Sequence, residues 1–161
     1  MDEQEKETEL TGIGGWLIFP IIGLFISPFL IFFNFINLFL PIFTDETIAL
    51  LTTKGSEYYV PGLSALLFFE ILGNLLLLFG SIYLLVSLFK KFKSFPIHFI
   101  YFRLFLIVFL SLDLFFAYIL FPSEPVFDLE TSREFFRSII ATIIWVPYML
   151  YSKRVKNTFV Y

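Results

Sequence analysis

Residues 66–81 read Leu-Leu-Phe-Phe-Glu-Ile-Leu-Gly-Asn-Leu-Leu-Leu-Leu-Phe-Gly-Ser, a run fit for lipid with one acid inside it. At helical spacing Glu70, Gly73, Asn74, Leu77, Gly80 and Ser81 share one face, and Leu, Ile and Phe fill the others. An ionised side chain turned toward hydrocarbon costs several kcal/mol. Small and polar residues on an oily helix are also the usual material of helix–helix contacts in membranes. The stripe therefore predicts a helix at the centre of a bundle, with Glu70 turned toward protein.

The rest of the chain has the same character. Of 161 residues 58% are hydrophobic and 22% aromatic, 25 are Phe, and only 16% are charged, against roughly 25% in a soluble domain. The mean hydropathy of +0.87 agrees. One multi-span membrane domain is the expectation. With no cysteine, disulfides, zinc–thiolate sites, iron–sulfur clusters and Cys nucleophiles are excluded, and the single His98 excludes any site needing two histidines. No metal or other cofactor is expected. The basic residues cluster only beside hydrophobic runs, so nothing resembles a nucleic-acid surface. The expected partners are the lipid bilayer and, as an open class, other membrane proteins or a second copy of the chain.

Taken in order, residues 1–11 form an acidic tail with no basic n-region and no small-residue cleavage site, and so no signal peptide is expected. The first apolar run covers 13–43 and contains Pro20 and Pro28. Trp16, Pro20, Gly23, Ser27, Asn34 and Asn37 recur along it at helical spacing, predicting a second inward-looking stripe. A polar loop follows, with a short interfacial helix expected over Ile48–Leu51. The second run, 63–89, ends at the basic turn Lys90-Lys91-Phe92-Lys93. The third, 95–121, carries Arg103 and Asp113. The acidic loop from Pro122 to Glu134 offers Thr131 and Ser132 as caps, with Glu134 in the first turn of the last run, 135–151. A basic tail occupies 153–161. The fold class is thus an all-α membrane protein, a four-transmembrane-helix bundle over 12–152. No internal repeat supports an inverted-repeat carrier. Lys90, Lys91, Lys93, Lys153, Arg154 and Lys156 outweigh Lys54 and Arg133 in the other loops, which places both termini in the cytoplasm.

Depth follows from a helical rise of about 1.5 Å per residue. Glu70, nine residues after Pro61, and Asp113, nine before Pro122, both lie about 13 Å from the outer boundary. Asn34, Asn37, Asn74 and Arg137 fall in the same half. The expectation is an intramembrane polar cluster of Asn34, Asn37, Glu70, Asn74, Asp113 and Arg137, in which Arg137 pairs with one carboxylate. Arg103, about 15 Å from Asp113 along its helix, is expected to reach cytoplasmic headgroups or to cap a neighbouring helix. Three roles fit such a cluster: a joint within the bundle, a solute or proton path, or catalysis by the Glu70/Asp113 pair. No nucleophile, metal set or phosphate loop supports the last, so no enzyme is expected. The leading reading is a structural, accessory or ligand-binding membrane protein. The competing one is a small proton- or solute-coupled transporter using Glu70 and Asp113.

Two strings at the ends of the spanning region carry a resemblance. Gly12-Ile13-Gly14-Gly15-Trp16-Leu17-Ile18 opens it, and Trp145-Val146-Pro147-Tyr148-Met149-Leu150-Tyr151-Ser152-Lys153-Arg154-Val155-Lys156-Asn157-Thr158-Phe159 closes it. Together they resemble the DUF2569 family of bacterial membrane proteins, whose members open with Gly-Gly-Trp-Leu and end with Trp-x-Pro-Tyr and Ser-x-Arg-Val-Lys-x-Thr-Phe strings. The resemblance implies a bacterial cytoplasmic (inner) membrane, four spans and no particular activity. It also implies a cytoplasmic face built around Trp16, Arg103, Trp145, Pro147, Tyr148 and Arg154.

Overall fold

A computed structural model describes residues 11–123 and 128–161; the expected acidic tail falls almost entirely outside them. Every regular element among the described residues is helical. A 3₁₀ turn, Gly15–Leu17, leads into α1 (Ile18–Thr44). The short α2 (Glu46–Thr52), then α3 (Leu63–Phe89), α4 (Phe95–Leu120), α5 (Leu129–Tyr151) and the short α6 (Lys153–Thr158) follow. Three stretches are long and apolar enough to cross a membrane: Gly15–Ile42, Leu63–Phe89 and Phe95–Leu120.

Local chemistry sets the boundaries. Pro20 sits in the first turn of α1, where a missing N–H costs nothing. Pro28 and Pro41 lie farther along the helix, and Pro28 packs its ring on the buried side. Asp45 starts α2 by accepting a hydrogen bond from the Thr47 amide (2.8 Å), and this bond holds its carboxyl below the usual carboxylate value. The cap of α5 is Asp128, whose Oδ1 accepts from the Thr131 amide (2.7 Å). Thr131 and Ser132 were expected to cap this helix, but both lie inside it. A cap needs extended backbone, and Asp128 has it (ψ 176°). The helix therefore begins at Leu129, and Glu134 falls in its second turn.

The four long helices pack in chain order, α1 on α3, α3 on α4 and α4 on α5. They converge at the end that carries Thr11 and Tyr161. There Leu17, Ile21 and Leu24 of the first segment meet Leu84 and Leu88 of α3, Phe95 and Phe99 of α4, Met149 of α5, and Val155 and Phe159 beyond it. Away from that end α1 and α5 have no comparable packing. The outer surface of α1, α3 and α4 is dominated by exposed Phe, Leu and Ile, as expected of helices bathed in hydrocarbon.

Glycine sets the closeness of the central pair. The Phe109 ring of α4 lies directly over Gly73 of α3, and a Cβ there would fall 1.9 Å from the ring. At Gly80 the nearest atom, on Phe102, would be 3.1 Å away. Gly73→Ala is therefore expected to lower stability by about 1–3 kcal/mol through overpacking, and Gly80→Ala by less. Thermal melts of the detergent-solubilised protein would rank the two.

Candidate functional site

The close approach at Gly73 brings the two intramembrane acids together. Glu70, one turn before Gly73, and Asp113, one turn after Phe109, place their carboxyl groups in hydrogen-bonding reach across the α3–α4 interface. Both are half-buried. Phe69, next to Glu70 in sequence, packs against Phe109 (centroids 5.2 Å apart) and edge-on against Phe116 (5.6 Å). Asp113 Oδ1 is shielded from solvent and receives no hydrogen bond from any donor among the described residues. Two ionised carboxylates so placed would repel. With one proton between them they form an O–H···O bond instead. Chemically, such an arrangement can share one proton between two acids. No group of three His, Cys, Asp or Glu side chains that could hold a metal occurs among the described residues.

The other members of the expected cluster lie elsewhere. Asn74 is half-buried beside the pair, but its Nδ2 donates to the backbone carbonyl of Glu70 (2.9 Å) within its own helix. Arg137 does not pair with either acid. It is exposed and makes no hydrogen bond or ion pair among the described residues. The reason is rotational: α5 presents Ser138 and Thr142 to α4, and Arg137, one position earlier, points about 100° away. Asn34 and Asn37 are exposed as well. α1 meets α3 with the side carrying Leu17, Ile21, Leu24 and Pro28, and the two amides lie more than about 100° around the helix from it.

Arg103 performs a different task from the one expected at the headgroups. It is half-buried against α5, where Nε donates to Thr142 Oγ1 (3.2 Å) and Nη2 to the Ser138 carbonyl (2.9 Å). The Thr142 hydroxyl donates to the same carbonyl (2.9 Å). An arginine in mid-helix thus satisfies itself on a neighbouring backbone, the remedy hydrocarbon demands. It does not belong with Trp16 and Arg154. Ser138 and Thr142 were not singled out in the sequence, although their i, i+4 spacing in the apolar part of the helix after Arg137 was the available signal.

The remaining motif residues, Trp16, Trp145, Pro147, Tyr148 and Arg154, gather at the converged end. Phe19 links the aromatic ones: its ring lies 5.7 Å from Trp16 and stacks on Trp145 at 6.4 Å, and Tyr148 meets Trp145 edge-on at 5.9 Å. Pro147 is exposed within α5. Arg154 Nη1 donates to the Thr11 carbonyl (3.3 Å), and its guanidinium lies over Gly14 and Gly15. Gly15 adopts φ +55°, a conformation that favours glycine. Thr158 Oγ1 bonds the Gly12 carbonyl (3.2 Å), and Phe159 stacks on Phe95 at 4.4 Å. The last residue, Tyr161, pairs its backbone with Lys91 and Lys93 of the basic turn. The opening string, the closing string and the α3–α4 turn are thereby tied into one structure.

The model of the family described as "Protein of unknown function (DUF2569)" matches residues 10–160. The chain belongs to that family. No curated protein and no solved structure matches it.

The Arg103 contact is directly testable. Arg103→Ala removes two bonds from a charged donor, and each such bond contributes roughly 1.5–3 kcal/mol. Thr142→Val removes one of them. The expected order of thermal stability is wild type, then Thr142→Val, then Arg103→Ala, with hydrogen exchange accelerated in α5 before α3.

Proposed function

We propose that this DUF2569 protein is a four-span protein of the bacterial inner membrane with a non-enzymatic, accessory or ligand-binding role, in which Glu70 and Asp113 act as a protonated joint between α3 and α4. Three observations support the topology. α5, at 23 residues, is about 34 Å long. It is fastened near its middle to α4 by Arg103, so it accompanies α4 through the bilayer. Thr11, Tyr161 and the Lys90–Lys93 turn lie at one end of the molecule, and the excess of Lys and Arg there favours the cytoplasmic side.

The observation that carries the functional reading is the contact of the two carboxyls across the α3–α4 interface, on the same two helices as the ring cluster of Phe69, Phe109 and Phe116. Paired acids joining two helices act as a fastening, and Arg137, the cation expected beside them, lies exposed elsewhere. Such interhelical polar contacts contribute about 0.6 kcal/mol on average in membrane proteins and reach about 1.7. An acid left without its partner costs more.

The isosteric and truncating substitutions separate this reading from a transporter. Glu70→Gln and Asp113→Asn each leave one amide donor and one carboxylate acceptor, so the melting temperature should hold. Glu70→Ala and Asp113→Ala should lower it by an amount equivalent to about 1–3 kcal/mol. Proteoliposomes with a pH-sensitive dye inside should show no proton flux attributable to the protein. Flux in the wild type that Glu70→Gln abolishes without loss of stability would replace the joint with a proton-coupled path.

A further inference from the structure

Asn34 and Asn37 pose a problem that the single chain does not solve. Both lie within the stretch of α1 that is long and apolar enough to cross a membrane. Both are exposed, and neither has a hydrogen-bond partner among the described residues. The two are three residues apart, about 60° around the helix, and so share one side of it. Gly23 and Leu30 lie on the same side, and a Cβ added at Gly23 would meet nothing within 4 Å. The spacing Gly23, Ser27, Leu30, Asn34, Asn37 alternates four and three residues, the period of a seam between two helices. Ser27 already donates to the Gly23 carbonyl (2.7 Å), so the unmet demand on this side is that of the two amides.

We infer that this side of α1 is a homotypic interface, and that a second copy of the chain covers Asn34 and Asn37 within the bilayer. The occupant follows from the chemistry and the geometry together. Acyl chains supply no hydrogen bond, so lipid leaves four amide donors and two amide carbonyls unmet. A carboxamide both donates and accepts, and is therefore its own complement. Two copies inserted with the same orientation carry their amides at equal depth. A two-fold axis along the membrane normal then sets Asn34 against Asn34 and Asn37 against Asn37, with no further adjustment. The bare surface at Gly23, lower on the same seam, lets the two backbones approach. The inference is independent of the role proposed for Glu70 and Asp113, which lie on other helices.

The natural absence of cysteine makes the test free of background. Single-Cys variants Asn34→Cys, Asn37→Cys and Phe32→Cys of the full chain, in lipid vesicles at high dilution, are oxidised with copper phenanthroline. Phe32 is exposed but lies about 140–160° around the helix from the two amides. The expected result is a product of twice 18.9 kDa from the Asn34 and Asn37 variants, at ten-fold or greater yield over Phe32→Cys. In parallel, the double variant Asn34→Leu/Asn37→Leu, labelled with donor and acceptor dyes, should lose energy transfer between copies at least ten-fold while its melting temperature holds. Equal cross-linking at all three positions, or undiminished energy transfer in the double Leu variant, would overturn the inference. Cross-linking in native membranes that gives only adducts of another mass would overturn the second copy as occupant and assign the seam to a different membrane protein.

Discussion

Hydrocarbon offers a polar side chain no water, and this constraint sorts the embedded polar residues by how each escapes it. Arg103 reaches a neighbouring backbone and shares the Ser138 carbonyl with Thr142. Ser27, Ser81 and Ser111 turn back on carbonyls of their own helices. Glu70 and Asp113 use each other. Each remedy fixes something different. The serines fix only themselves, the arginine ties α5 to α4, and the acids set the contact between α3 and α4 at the place where Gly73 has removed the steric obstacle.

The converged end is held by another principle. There the chain ends leave the helical ladder, and their backbone groups need partners that a helix no longer supplies. Arg154 and Thr158 bond the carbonyls of Thr11 and Gly12, and Tyr161 pairs with Lys91 and Lys93. The two sharpest strings in the sequence are the two halves of this one arrangement, packed on a core to which all four long helices contribute. Their sharpness has a physical source. A guanidinium lying over two glycines, a glycine at positive φ and a stacked Phe pair leave little room for substitution, whereas a lipid-facing Leu or Phe has many equivalents.

How far the sequence could be read follows from the same distinction. The limits of α3 and α4 were legible, since a change from apolar to charged residues is both the lipid boundary and the place where Lys90 or Gly62 ends or begins a helix; the start of α5 was not, because it runs out through polar residues to its cap at Asp128. The meeting of Glu70 with Asp113 was legible as an equality of depth. Rotation about the helix axis was not. Asn34, Asn37 and Arg137 share the polar character of the paired acids, yet a shift of about 100°, one residue, separates a side chain inside an interface from one outside it. The apolar background gave no contrast to set the angle. On α1 nearly every residue is hydrophobic, so its buried side is chosen by the fit of Leu17, Ile21, Leu24 and Pro28 to α3, and the helix's own periodicity does not mark it. Arg137 was assigned to an acid on charge and depth, and neither carries an angle.

The uneven closure of the molecule gives the acid pair its setting. The ten-residue core lies at the end with Thr11 and Tyr161, while Glu70 and Asp113 lie toward the opposite end, where α1 and α5 do not close on each other. A contact between two carboxyl groups on different helices depends on the spacing of those helices, and Gly73 sets that spacing by admitting the Phe109 ring. Parting α3 from α4 there would leave each carboxyl to hydrocarbon or to entering water. The terminal core is built instead from apolar groups and backbone bonds, which need no such partner. The two ends of the bundle are thus held by different chemistry, paired acids toward one and apolar packing with terminal backbone bonds at the other.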